Sequence, residues 1–343
     1  MLNALALVML AVALPACDGL HVDEHGQGPA LKNARVLLAT GGTPGYVYTP
    51  RVLASDGTYL WVIDRTARVQ RINPETGACV QWFRMPEWEL GKPTGMAIGI
   101  SPEGKGQRAI YVADTHYHRV MVYEFPGDPA AKQPAVALSP RLIASIGSYG
   151  NAPGQFVYPC AVAVLPTSDG QSLERLYVGE FGGNDRIQTF DRELKFVKQI
   201  GGAGMGEDEK KVEFSRPQSI VLDVPNQRMF VADSINHRVG VLNLQGELIR
   251  WIGKPALTGQ APGQFSHPRG LTLLSDGTLL VVEFANNRVQ RIDPKTGESL
   301  AVMGRTGMKT GELAEPWCIA QVGSRFFVAE GKANRVQVFD QMW

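Results

Sequence analysis

Cysteine is scarce in this sequence, charge is balanced, and long apolar runs are missing beyond the first residues. Four cysteines occur in 343 residues. Cys17 closes an amino-terminal apolar stretch. The other three, Cys79, Cys160 and Cys318, are an odd number and make no disulfide framework. Each falls in an expected strand, where a buried, unreactive thiol is the plain reading. Lys+Arg total 34 against Asp+Glu 33, a net charge of +1. That balance lacks the basic excess of a nucleic-acid surface, so no nucleic-acid partner is expected. No nucleophile–base pair, phosphate loop or metal-ligand cluster is visible either, and neither metal nor other cofactor is expected. Hydrophobic residues make up 44% of the chain, ample for a large core.

The one unbroken apolar run, residues 4–14, has signal-peptide length and is too short to span a bilayer. It ends in Leu14-Pro15-Ala16-Cys17. This resembles a bacterial lipobox, in which the cysteine is lipidated and becomes the mature amino terminus. The resemblance implies an exported lipoprotein, anchored through Cys17 and facing the periplasm or the cell exterior. Residues 18–33 are polar and Gly-containing, so they read as a flexible tether ahead of a domain at 34–343.

What fills that domain is repetition. Residues 230–239, Phe-Val-Ala-Asp-Ser-Ile-Asn-His-Arg-Val, read as an apolar strand, a carboxylate, a polar turn, an arginine and a second apolar strand. The pattern recurs with carboxylates at Asp64, Asp114, Glu180, Asp233, Glu283 and Glu330. The arginines are Arg68, Arg119, Arg186, Arg238, Arg288 and Arg335, at separations of 4, 5, 6, 5, 5 and 5. Six copies at a period of roughly 40–60 residues mean a repeat architecture. Each unit opens on a proline: Pro50, Pro93, Pro159, Pro217, Pro268 and Pro316. The first residue of a strand can spare its N–H. Two positions later the residue is mostly small (Val52, Gly95, Ala161, Ser219, Gly270, Cys318). Three positions later it is large (Leu53, Met96, Val162, Ile220, Leu271, Ile319). Sheets crowded about an axis need such a slim face beside a bulky one.

The sequence therefore predicts an all-β, six-bladed β-propeller with four-stranded antiparallel blades. The last copy stops after three strands, and residues 34–40 match the fourth-strand pattern of the other units. An amino-terminal strand is thus expected to complete the last blade and close the ring.

The segments Ala152-Pro-Gly-Gln-Phe156 and Ala261-Pro-Gly-Gln-Phe265, with Val231-Ala-Asp233 and Asn236-His-Arg-Val239, resemble the NHL repeat. The likeness covers about residues 34–340 and implies the same six-bladed propeller, a fold that hosts many functions. A carboxylate–arginine pair repeated in every unit serves the blade by pinning its hairpin. Specific function belongs where the repeats differ. The residue just after each proline is the most variable: Arg51, Thr94, Cys160, Gln218, Arg269 and Trp317. In the peptide-amidating lyases, which resemble this fold, that position supplies zinc-binding histidines; here none is histidine, so their site is not carried over.

Ring closure makes Arg51, Arg269 and Trp317 neighbours. Two guanidiniums flanking an indole suit a carboxylate, phosphate or sugar acid. With Gln218 and Thr94 they form the candidate ligand site at the channel mouth. His118 and His237 occupy turn positions held elsewhere by Asn287 and Asn334 and are expected to cap turns, while His267 approaches the mouth. The functional expectation is a monomeric, envelope-anchored, non-enzymatic module that binds a protein, peptide or glycan. The alternative is an extracytoplasmic lyase or hydrolase acting on a small anionic substrate in the central channel.

Overall fold

A computed structural model describes residues 22–129, 135–254 and 257–340. Cys17 and the apolar leader lie outside these. Six four-stranded antiparallel units follow one another along the chain, each running from the axis outward. The inner strands are Pro50–Ser55, Gly95–Ile100, Tyr158–Pro166, Pro217–Asp223, Pro268–Leu273 and Pro316–Val322. A single 3-10 turn, Thr115–Tyr117, is the helical element among the described residues.

Buried apolar side chains fall into six clusters, and each cluster joins two successive blades. One of them packs Leu53 and Val62 of blade 1 against Val322 and Phe327 of blade 6, which closes the ring. The alternation of slim and bulky positions explains the packing. Val52 shares a cluster with Met96 of the next blade, and Ala161 with Ile220. Where the inner strands approach most closely the slim residue is glycine. A Cβ on Gly95 would lie 2.5 Å from the Cys160 carbonyl oxygen, and one on Gly270 would lie 2.7 Å from Cys318 Cα.

The clasp forms as the missing fourth strand required. Arg35–Leu38 runs antiparallel to Arg335–Asp340 at the outer edge of blade 6, with Val36 opposite Gln337 and Leu38 opposite Val336. Leu38 is fully buried. Leu38→Ala is expected to cost about 2–5 kcal/mol, read as a lower urea midpoint at unchanged m-value. An unchanged midpoint would show that the strand contributes little to closure.

The stretch read as a flexible tether is corrected over its described part, residues 22–33. The N–H of Gly28 donates to the Gly304 carbonyl, and that of Gly304 to Pro29. The Leu31 N–H donates to Gly311, and the Leu31 side chain enters the core between blades 5 and 6. A second departure concerns the proline-rich insertion after blade 2's third strand. Its Val136–Ala137 segment pairs in parallel with Cys79–Arg84 and adds a fifth strand to blade 1, covering that edge.

All six carboxylate–arginine pairs form, at N···O separations of 2.6–2.9 Å. In blades 2 to 6 the two residues face each other across the hairpin, as in Glu283 opposite Arg288. The pairs reach further than their own hairpin. Glu283 accepts from the Ser266 N–H, while Arg288 donates to the carbonyls of Ala261 and Gln264. The Ala-Pro-Gly-Gln-Phe loop is thereby stapled to the blade that follows it. A glutamine two residues after the arginine completes the staple. Gln290 donates to Glu283 and Gln264 and accepts from the Gly263 N–H. Gln188 and Gln337 repeat all three bonds.

Candidate functional site

The proline that opens each inner strand also sets the geometry of the channel mouth. It disfavours the ordinary helical region for the residue before it. Five of these residues take left-handed backbone instead: Thr49, Lys92, Arg216, His267 and Glu315, with φ between 50° and 68°. The strain is held by hydrogen bonds from the blade before. Asn334 accepts the Thr49 N–H, Asn287 accepts that of Glu315 at 2.7 Å, and His237 Nδ1 accepts that of His267 at 3.2 Å. His237, Asn287 and Asn334 are left-handed turn residues, as expected. They also strap each blade to the next, which a reading of local turns does not reveal.

Three variable positions per blade flank the entry to the inner strand, where the proline pairs with the carboxylate: the residue before the proline, the residue after it, and the residue after the carboxylate. The second set was identified from sequence. Arg51, Thr94, Cys160, Gln218, Arg269 and Trp317 all line one central cavity of about 560 Å³. The third set contributes Arg65, Thr115, Phe181, Ser234, Phe284 and Gly331.

The Arg51–Trp317–Arg269 cluster is present and longer than sequence suggested. The Arg269 guanidinium carbon sits 3.5 Å from the Phe284 ring centroid and 3.8 Å from that of Trp317. Arg51 lies over Trp317 at 4.5 Å. The result is a ladder of phenyl, guanidinium, indole and guanidinium. Gly331 makes room for it, because a Cβ there would come 2.5 Å from Trp317 Nε1. Arg216, the residue before Pro217, joins from blade 4 and stacks on Phe181 at 4.4 Å. Thr94 is occupied otherwise, its hydroxyl bonded to that of Thr115 at 2.8 Å.

The electrostatics of this cluster are those of an incomplete site. Buried nitrogens of Arg51 (Nε), Arg269 (Nε and Nη1), Arg216 (Nε) and Gln218 (Nε2) have no hydrogen-bond partner. Arg269 is only 9% exposed. Buried donors are almost always satisfied, so this group of orphans is exceptional, and three of its side chains, Arg51, Arg269 and Gln218, line the cavity. Burial lowers the Arg269 pKa to about 9, helped by Arg216 and Arg51 and opposed by Glu315. Burial likewise lowers Arg51 to about 10, with Arg65 and Arg216 adding to it. Both remain charged at neutral pH. An anion in the cavity that both guanidiniums line would relieve their mutual repulsion.

Residues 265–292 match the family model of the NHL repeat. The matched stretch runs from the end of the Ala-Pro-Gly-Gln-Phe loop through the third strand of blade 5.

The chain is a six-bladed β-propeller that carries an NHL repeat.

Relatives and structural neighbours of this propeller carry different names. It is 29% identical over 144 residues to Protein brain tumor of Drosophila melanogaster, an alignment covering 42% of this chain and 12% of that protein. It is 26% identical over 197 residues to a probable peptidyl-alpha-hydroxyglycine alpha-amidating lyase of Caenorhabditis elegans, covering 53% of this chain and 55% of that one. The NHL propeller thus spans less than two thirds of either relative. A streptogramin B lyase structure shares the fold, with a TM-score of 0.55 at 16% identity, covering 90% of this chain and 87% of that one.

The residues of this NHL propeller do not fit the zinc ion that the amidating-lyase resemblance implies. The six positions after the prolines carry no histidine, and guanidiniums stand at two of them. Among the described residues no three His, Cys, Asp or Glu side chains group as metal ligands. The three downstream thiols are buried or half-buried, and burial raises the pKa of each, which makes them poor nucleophiles at neutral pH.

Proposed function

We propose that this NHL propeller is a binding module that captures an oxyanion, a carboxylate or phosphate carried by its ligand, at the channel mouth. The carrying observation is that Arg51 and Arg269 are the charged groups lining the central cavity, with no carboxylate among its lining residues and with guanidinium nitrogens left unpartnered. Charge-assisted bonds from guanidiniums are the strong ones in anion recognition, and the Phe284 and Trp317 rings pack against the Arg269 guanidinium and restrict it. A protein, peptide or glycan bearing such a group is the macromolecular ligand this reading favours. Lipidation at Cys17 would hold the module at a membrane surface. The test is a calorimetric panel of carboxylates, phosphates, sugar acids and neutral sugars. Saturable binding of anions but not of neutral sugars supports the reading, and no binding by any anion removes it.

A second reading, a lyase or hydrolase acting on a small anionic substrate, draws on the names of the C. elegans relative and the streptogramin lyase. The mouth as described supplies binding groups without a zinc-ligand set. Turnover that depends on a stoichiometric metal would favour this reading over the first.

The histidines supply a pH test. Burial lowers the His267 pKa from the ordinary 6.5, with Arg269 and Arg216 adding to the effect. Burial and the His267 charge lower that of His237, whose ring centroid is 4.6 Å away. Both are therefore neutral at pH 7. Lowering the pH from about 7 to about 5 charges the unfolded form first, so without ligand stability falls below about 6.5. A bound anion favours the imidazolium, so affinity for a sulfonate, whose own charge is fixed, rises severalfold over the same interval. In His267→Asn the rise is expected to shrink, and a pH-independent affinity in the unmodified protein would contradict the placement of the anion.

A further inference from the structure

The two ends of the propeller present different surfaces. The loops that lead from an outer strand to the next inner strand all lie at the mouth end, as do the carboxylate–arginine turns. Each of these six loops exposes a large apolar or aromatic side chain: Tyr48, Trp88, Tyr149, Met205, Leu257 and Met308 are 41–69% exposed. Tyr46 and Leu90 add a second to the first two loops. The other exposed large apolar side chains, such as Ile249 and Leu300, stand on the outermost strands around the side. The turns at the far end carry none among the described residues. A globular partner is marked by a contiguous apolar patch. Tips spread singly around a closed ring outline a plane instead, and suit a flat, continuous partner. Trp and Tyr in particular favour the interface between lipid and water.

The amino-terminal strap arrives at the same end. Gln27 donates to the Asn286 carbonyl at 2.8 Å and its side-chain oxygen accepts from the Thr306 N–H, so the chain crosses the mouth-end turns of blade 5 there. Asp23, Glu24 and His25 before it are exposed. Only residues 18–21 separate Cys17 from residue 22, a reach of at most about 17 Å. The far end of the blades is a further strand length away, about 20 Å. From this arrangement we infer that the mouth end is a membrane-docking face: the propeller sits on a bilayer with its loop tips at the lipid–water interface. The orientation rests on the reading of Cys17 as a lipid anchor; the insertion of the tips rests on the surface alone. Charges of both signs stand on the turns of this end, Lys92, Lys309 and Lys332 as well as Glu89, Glu209 and Glu315. The contact is therefore made by apolar insertion, scales with the apolar area buried, and does not need anionic lipid. The mouth then opens into the headgroup layer.

The experiment reads tryptophan quenching in the full chain, reconstituted with vesicles of phosphatidylcholine brominated on its acyl chains. Three reporters are compared: Trp88 itself, and Tyr149→Trp and Ser168→Trp, each placed in Trp88→Phe. Trp88→Phe alone gives the signal of the remaining tryptophans. Ser168 is exposed in the far-end turn between the first two strands of blade 3. Quenching of Trp88 and of Tyr149→Trp is expected to exceed that of Ser168→Trp severalfold, and adding phosphatidylglycerol is expected to leave it unchanged. Tyr46→Ser, Tyr149→Ser and Met308→Ser together should bring Trp88 quenching down toward the far-end level, since each removes apolar area from the interface. Equal quenching at the two ends, or none at the tips, overturns the docking face. Tip quenching that requires phosphatidylglycerol overturns apolar insertion. Cys17→Ser separates the two supports. Reporters that keep their order in that variant carry the docking face without the anchor. An order lost with Cys17 shows that the tether alone orients the molecule, and overturns insertion of the tips. Calorimetry without vesicles reads the anion site independently of all these outcomes.

Discussion

Replacing Glu283 by alanine is expected to lower the folding free energy by about 3–5 kcal/mol, because it strands a buried guanidinium. Glu283 and Arg288 are both fully buried, with the closest N···O contact at 2.6 Å. The carboxylate also accepts from Ser266, Asn286 and Gln290. Its loss leaves four donors facing a void and frees the loop that carries Ala261 and Gln264. For a propeller of this size the melting midpoint should fall by roughly 5–15 °C. The same truncation at Asp114 should cost less, since Arg119 is 18% exposed and retains Glu87 at 2.7 Å. The surface pair of Arg141 and Glu103 should show no measurable effect, because both side chains stand in water. If Glu283→Ala and Glu103→Ala melted alike, the pairs would not be what holds the hairpins and loops together.

The double substitution Arg51→Gln, Arg269→Gln should act in the opposite direction on stability. Arg269 is nearly buried, unpaired at two nitrogens, and repelled by Arg216 and Arg51. Removing an uncompensated buried charge stabilises a fold even after the stacking on Trp317 and Phe284 is lost. A gain of about 1–2 kcal/mol is expected, the trade of stability against function seen at binding sites. Anion affinity should fall at least a hundredfold, since truncating a buried charged partner costs about 2–5 kcal/mol in binding. A destabilised variant with intact anion binding would reverse both halves of the account.

The blade framework was legible because its chemistry repeats. Asp64 to Glu330 and their arginines stand out by spacing alone, and the strand at Arg35–Leu38 was legible because the last unit lacked a fourth strand. The post-proline ring was legible for the converse reason, that six equivalent positions hold six unlike residues. Arg216 and Phe284 were harder to see. They belong to two further variable positions whose approach to the mouth depends on left-handed backbone before each proline and on hydrogen bonds from the preceding blade. Nothing local in sequence reports either. Gln188, Gln290 and Gln337 did carry a signal, an Arg-x-Gln spacing shared between blades. The docking of residues 26–31 left none, because it is made mostly by backbone groups, with Leu31 as its single buried apolar side chain.

Crystals grown free of sulfate and phosphate, then soaked in millimolar selenate, would test the anion site most directly. An anomalous difference peak is expected within hydrogen-bonding distance of the Arg51 or Arg269 guanidinium where it lines the cavity, near the Trp317 indole. Selenium peaks confined to the outer surface, with none in the cavity that those two guanidiniums line, would contradict it.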